Sequence, residues 1–185
     1  MSQAAIDTLK QAIQNQWSSK LGDKAAAYVD KFFNRVRRDT KIVAQVVGNH
    51  GTYTVSIQAI QGGVRSACSC YIGKGGYCHH CVALAVTFLN KPDSFVEKIA
   101  KKLETVEGLT DLTEYLQSVS LESLLNQLKE KGITQKAFAV SIGMSTQHLS
   151  AVKSSEINNQ FYHELGAVKL ACLWVLEHHG EVKAK

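Results

Sequence analysis

Little in this sequence belongs to a disordered, membrane-spanning or secreted chain. It has a single proline, Pro92, among 185 residues, and 45% of them are hydrophobic. That balance excludes extended disorder and describes a compact chain of one large domain or two small ones. No uninterrupted apolar stretch of about 18 residues exists, so no transmembrane helix and no membrane partner are expected. The N-terminal MSQAAIDTLKQAIQNQW lacks the basic-then-apolar layout of a secretory signal, which points to a cytoplasmic protein. Internal repeats and low-complexity tracts are absent. So are a phosphate-binding glycine loop, a dinucleotide fingerprint and a nucleophile elbow, and no enzymatic activity is expected.

Disulfides and charge of one sign are also scarce. The five cysteines are an odd number for a disulfide framework, and four of them fall between Cys68 and Cys81. In a reducing compartment such clustering argues for a metal. Cys68 and Cys70 stand too close in sequence to close a relaxed disulfide. The formal net charge is only +5. It is unevenly placed, with 10 Lys and Arg against 4 Asp and Glu in residues 1–90, and 11 against 12 in residues 91–185. Attraction for polyanions therefore belongs to the first half, where Arg35, Arg37, Arg38, Lys41 and Lys74 are candidate phosphate contacts.

What is present reads as alternating helical and strand periods. Ile6, Leu9, Ile13 and Trp17, then Ala26, Val29, Phe32, Phe33 and Val36, predict helices over residues 3–37, broken near Gly22 and Asp23. From Lys41 the period changes. A β-branched run at 42–47, turn residues at 48–51 and alternation over 52–60 predict a β-hairpin, followed by a short strand at 64–67. From Cys78, the residues Cys81, Val82, Leu84, Ala85, Phe88 and Leu89 make an apolar helix that stops before Pro92. A first domain is expected to end there, and residues 93–119 read as a helical linker. Five helices are then predicted, at 121–130, 134–141, 145–153, 159–166 and 168–178. Trp17, Phe32, Phe33, Phe161 and Trp174 are assigned to the core, Cys172 reads as an inert core thiol, and His178 and His179 as a solvated helix end.

The cysteine cluster carries the sharpest chemistry. Zinc prefers four tetrahedral thiolate and imidazole ligands, and Cys68, Cys70, Cys78 and His80 supply a closed set of that kind. In an extended Cys-x-Cys the two thiolates share a face, and Gly73, Gly75 and Gly76 let the chain reverse so that Cys78 and His80 return to the ion. His79 and Cys81 stand as alternative ligands. A full set of protein ligands leaves no position for water, and no Asp or Glu lies nearby as a base, so the expected ion is structural. Cys-x-Cys, seven residues, Cys-x-His and an apolar helix, all after a hairpin, resembles the SWIM zinc finger over residues 40–90. The resemblance implies Cys68, Cys70, Cys78 and His80 as ligands, with His79 at the free position and Cys81 as the first core residue of the helix. It also implies contact with nucleic acid or with a protein partner.

A second pattern lies in residues 121–153. Thr134 and Ser145 suit helix N-caps, and Ala139 is small where two helices would cross. Gly143 sits where a tight turn needs positive φ, and Leu149 and Val152 face inward. This spacing describes a helix-turn-helix. The stretch from residue 120 to His178 resembles the lambda-repressor-like (XRE-type) helix-turn-helix family. The resemblance implies that Gln135 braces backbone and base contacts, and that Thr146, Gln147 and Ser150 meet base edges from a recognition helix. Ser145 at the helix start and Lys153 complete the implied DNA-binding set, with His148 and Lys153 placed nearer phosphates. Two departures are visible: residues 120–180 carry 5 Lys against 5 Glu, and the loop at 154–159 lacks the family's glycine.

The expected fold class is thus α+β: N-terminal helices plus a β-hairpin zinc-finger domain (1–92), then an all-α helix-turn-helix bundle (120–185). Two functions compete. One is a sequence-specific DNA-binding regulator, dimeric on a two-fold site and associated with the nucleoid. The other is a non-enzymatic interaction module in a repair, transposition or RNA-bound assembly. Zn2+ is the expected cofactor, and DNA is favoured over RNA as the partner.

Overall fold

The structure is a computed structural model that describes residues 3–17, 21–75, 77–98, 103–160 and 162–178. The chain is α+β and divides into two compact units, residues 1–99 and 100–185. Among the described residues no helix is long and apolar enough to cross a membrane.

The first unit opens with α1 (Gln3–Gln16) and the single-turn α2 (Asp23–Ala26), followed by β1 (Phe33–Arg38), β2 (Lys41–Gly48), β3 (Gly51–Ile60) and β4 (Gly63–Cys68). Helix α3 (His79–Asn90) and the two-residue β5 (Val96–Glu97) complete it. The strands form one sheet in the order β4-β3-β2-β1-β5, antiparallel except where β5 runs parallel to β1. The predicted hairpin is β2–β3, with Gly48 opposite Gly51 across the two-residue turn Asn49-His50. Alternation along β2 buries Ile42, Ala44 and Val46. Leu9 and Ile13 of α1 and Leu84 and Phe88 of α3 join them in one core, which removes their apolar surface from water.

The helix predicted to continue to residue 37 does not form. Asp30 takes the left-handed conformation (φ +62°) and ends the helical turn. The chain then enters β1, where Val36 pairs with Val43 and Arg38 with Lys41. Asn34 (φ +49°) lies where the register shifts between Phe33 and Val36, a bulge that adds a residue to the strand. The extra residue breaks strict alternation, so Phe32, Phe33 and Val36 imitate helical spacing. Phe32 is buried, whereas Phe33, assigned to the core above, is exposed.

The stretch read as a linker is divided between the units. Phe95 is buried in the first core, and Lys98 donates its backbone N–H to Arg37 in the manner of an edge strand. Leu103, Val106 and Leu116 pack on the second core.

That second unit contains α4 (Leu109–Ser118), α5 (Leu121–Glu130), α6 (Gln135–Ser141), α7 (Thr146–Ile157) and α8 (Leu165–His178). Ser120, Thr134 and Ser145 cap α5, α6 and α7, each side-chain oxygen accepting a backbone N–H three residues on at 3.1 Å. Helices α5, α6 and α7 also share one ending. Gly132, Gly143 and Asn159 all have positive φ. After each, a backbone N–H reaches back five residues: Ile133 to Leu128, Met144 to Ala139 and Gln160 to Ser155. This is the Schellman motif, which satisfies orphan carbonyls of the last turn. Asn159 therefore does the work of the glycine absent from that loop, since Asn tolerates the left-handed region.

Two expectations fail in this unit. Helix α7 runs on to Ile157, past the predicted end at Lys153. Among the described residues of 159–164 none is helical, because the turn at Asn159 ends the helical path and α8 starts only at Leu165. Phe161 and His179 lie outside the described residues. Trp174, assigned to the core, is 58% exposed, because α8 is apolar on more than the face it buries. Cys172 is fully buried, as expected, and burial pushes its thiol up to about 12. His178 ends α8 with Nδ1 2.8 Å from the Trp174 carbonyl.

Lys169 is almost wholly buried and is satisfied by Glu156 (2.5 Å) and by the carbonyl of Leu116 (2.7 Å). Glu156 also accepts the backbone N–H of Leu121 at 2.7 Å. One buried ion pair thus ties α4, α5, α7 and α8 together.

Candidate metal centre

Three elements of the first unit converge on one buried cluster. β4 ends at Cys68, the chain makes a single 3-10 turn at Ile72–Gly75, and α3 begins at His79. The ligand atoms of Cys68, Cys70, Cys78 and His80 all lie within 4.8 Å of one another, and all four residues are buried. His80 turns Nδ1 inward, 3.7 Å from the sulfurs of both Cys68 and Cys78. A group of this kind can hold a metal ion, and the sequence pattern had singled out these four residues.

Local chemistry explains the convergence. Ser69, between the first two cysteines, exchanges hydrogen bonds with Thr54 of β3: its N–H donates to the Thr54 carbonyl at 3.0 Å, and its hydroxyl accepts the Thr54 N–H at 2.9 Å. The Cys-x-Cys segment is therefore pinned to the sheet edge. The N–H of Gly73 donates to the Cys70 sulfur at 3.2 Å, and that of Cys70 to the Cys68 sulfur at 3.5 Å. Gly73 serves closeness rather than backbone freedom. A Cβ there would overlap the carbonyl oxygen and Cβ of Cys68, whereas its φ is not positive. Gly75 belongs to the 3-10 turn, and Gly76 lies outside the described residues.

The imidazole of His80 is held by aromatic rings. Tyr28 meets it edge-on at 4.6 Å, and Tyr53 lies 5.1 Å away. Tyr53 fits because Gly48 has no side chain, since a Cβ at Gly48 would overlap its ring. The Nε2 atom of His80 is buried without a hydrogen-bond partner, so Nδ1 is its one engaged nitrogen. Ser69, Tyr28, Tyr53 and Gly48 were not foreseen as supports. Their roles depend on strand register, of which the sequence offered only the hairpin itself.

The two alternative ligands stand apart. His79 is half-buried, with its ring 4.1 Å from that of His80, and burial pulls its pKa down. Cys81 is fully buried outside the four-residue group, its sulfur 3.8 Å from that of Cys78.

The electrostatics suit a cation. Hydrogen bonds from Cys68 and then Cys81 hold the Cys78 thiol far below its usual range. Cys68 and Cys81 are pushed up by donating to Cys78 and by burial, and Cys70 is raised by burial. A metal ion bound there would deprotonate the coordinating thiols.

The charged residues expected to meet phosphates are partly absorbed by the fold. Arg35 donates to the carbonyls of Phe32 (2.9 Å) and Asp30 (2.8 Å) and to the Ser94 hydroxyl (2.8 Å). Arg37 is buried and paired with Glu97 at 3.4 Å. Both guanidiniums hold β1 to the segment around β5. Arg38 and Lys41 face each other at the β1–β2 turn, and the side chain of Lys74 lies outside the described residues.

In the second unit, Thr146, Gln147 and Ser150 are exposed on α7, while Leu149 and Val152 are fully buried. Ser145 is committed to its cap, and the Ser150 hydroxyl donates to the Thr146 carbonyl at 2.9 Å. Gln135 and Lys153 are half-buried. His148 lies 3.4 Å from the Tyr162 hydroxyl and 3.9 Å from Glu164.

No protein-family model, curated protein or solved structure matches this chain.

Proposed function

We propose that the chain is a sequence-specific DNA-binding protein, a transcriptional regulator whose first unit is fastened by a structural zinc ion and whose second unit reads bases. Helices α6 and α7 act as a helix-turn-helix, joined at Gly143 (φ +71°). The observation that carries this reading is the outward face of α7, where Thr146, Gln147 and Ser150 are exposed on a helix anchored by Leu149 and Val152. Gln suits bidentate contact with adenine, and Ser and Thr suit several base edges. Three sulfurs and one imidazole form a soft, closed donor set of the kind that selects zinc for structure. With no position left for water, the chain performs no catalysis at that site. The resemblances to SWIM fingers and to lambda-repressor-like domains point the same way.

The test is a selection from random DNA fragments with the zinc-loaded protein at about 0.15 M salt. Enrichment of a short two-fold motif is expected. Gln147→Ala should relax preference at one base pair by about 1–3 kcal/mol. Unaltered preference in that variant would remove α7 from the reading.

A second reading, an interaction module, is favoured by a different observation. Ile133, Phe138, Ile142 and Trp174 line an apolar groove of about 620 Å³ in the second unit, which carries no excess of positive charge. Salt separates the two. Binding through phosphates weakens steeply as salt rises, and apolar docking does not.

A further inference from the structure

Cys81 is the one thiol that the metal site brings close and leaves unused. Its sulfur lies 3.8 Å from that of Cys78, across the first turn of α3. Cys78 is the N-cap of that helix, in extended conformation, and the Cys81 N–H donates to its carbonyl at 3.0 Å. The turn therefore holds both side chains on one side at Cys-x-x-Cys spacing, an arrangement suited to reversible disulfide formation. To bond, the sulfurs must close from 3.8 Å to about 2.05 Å.

We propose that Cys78 and Cys81 form a reversible disulfide that withdraws Cys78 from the metal site, so that peroxide controls whether the ion is held. The coupling to the ion rests on the zinc reading above, and the disulfide itself does not.

The chemistry balances with hydrogen peroxide as the oxidant. The Cys78 thiolate attacks one peroxide oxygen, so an S–O bond forms, the O–O bond breaks and hydroxide leaves. Cys81 loses its proton to that hydroxide, giving water. Its sulfur then attacks Cys78, the S–S bond forms, and the oxygen departs as a second hydroxide. Two electrons pass from the sulfur pair to the peroxide. Cys78 is 3% exposed and Cys81 fully buried, so a small oxidant reaches Cys78 first and Cys81 resolves the product.

Cys68 also lies near Cys78 but is a poorer partner. Its carbonyl and Cβ pack directly beneath the Gly73 backbone, and the next residue is pinned to β3 through Thr54. After oxidation, Cys68, Cys70 and His80 remain as three donors with one position open, and the ion is held more weakly.

The experiment uses the full chain loaded with zinc and treated with stoichiometric hydrogen peroxide. Free thiols are then blocked, and disulfides are mapped by mass spectrometry without reduction. A chromogenic chelator records zinc release alongside. A Cys78–Cys81 disulfide, release of one zinc per chain and recovery of both states with dithiothreitol are expected. Cys81→Ser and Cys81→Ala should still bind one zinc and keep the wild-type far-UV spectrum, yet lose the reversible part of the release. A disulfide mapped to Cys68–Cys78, or reversible release in both variants, would overturn the proposal. A chain that takes up no zinc would overturn the metal reading and the coupling, while the mapped disulfide still decides the pair.

Discussion

The two units solve the problem of stability by different means. The first builds a sheet whose edge strand β4 runs straight into a buried cluster of three thiols and an imidazole. The second has no such cluster among its described residues, and closes its helices with caps, Schellman turns and one buried ion pair. The contrast places the candidate metal group in one half of the chain. The buried thiols and imidazole of the first unit form a group that could hold a metal ion, whereas Lys169 and Glu156 neutralise each other.

Removing the metal should break that comparison most visibly. Because metal-binding energy is folding energy, chelation should unfold the first unit and leave the helices at 121–178 intact. Circular dichroism during titration with a chelator checks this: strand signal should go and helical signal stay. An unchanged spectrum and melting curve would mean that the sheet stands without its ion.

The ion pair of the second unit provides the next largest effect. Lys169→Ala leaves Glu156 buried without its partner and should cost about 3–5 kcal/mol in urea unfolding. Replacing both residues by apolar ones of similar volume should restore most of it. If the single variant loses nothing, the pair is not what ties α4, α5, α7 and α8.

Gly73→Ala sharpens the picture within the first unit. Its methyl group would collide with Cys68 and displace the N–H that meets the Cys70 sulfur. Loss of such a supporting hydrogen bond should weaken zinc about 10–100-fold in a competition titration. The second unit should be untouched.

The smallest effect is alkaline. Cys172 has its pKa raised from 9.0 to about 12 by burial. The stability tied to its neutral form is complete below pH 9.0 and is lost as pH rises toward about 12, because only the unfolded chain ionises there. Tyr115, raised by burial and by Glu104, acts in the same direction. Melting temperatures of Cys172→Ala between pH 8 and 11 should fall less steeply than those of the wild type.

Much of this organisation could be read before the fold was known. The change of period at Lys41, the turn at Gly48–Gly51 and the spacing of the cysteines pointed to β2, β3 and the cluster. Thr134, Gly143 and Ser145 marked both sides of the turn between α6 and α7. These features are local, each resting on residues close in sequence. What escaped was decided by distant partners. β1 is a strand because β2 lies beside it, and β5 is two residues that pair only because Arg37 and Phe95 hold them there.

The sequence by itself determined the donor set, the helix caps at Thr134 and Ser145 and the uneven distribution of charge, because these follow from residue type and short spacing. Tertiary structure alone decided how the charge is used. Arg35 and Arg37 look like free cations in the sequence, yet their guanidiniums reach Ser94 and Glu97, 59 and 60 residues away. It also decided that Cys81, adjacent to a ligand in sequence, stands beside the site and outside it. A helix advances about 100° per residue, so neighbours in sequence turn their side chains to different surroundings, and only the packed core settles which sulfurs join the four-residue group.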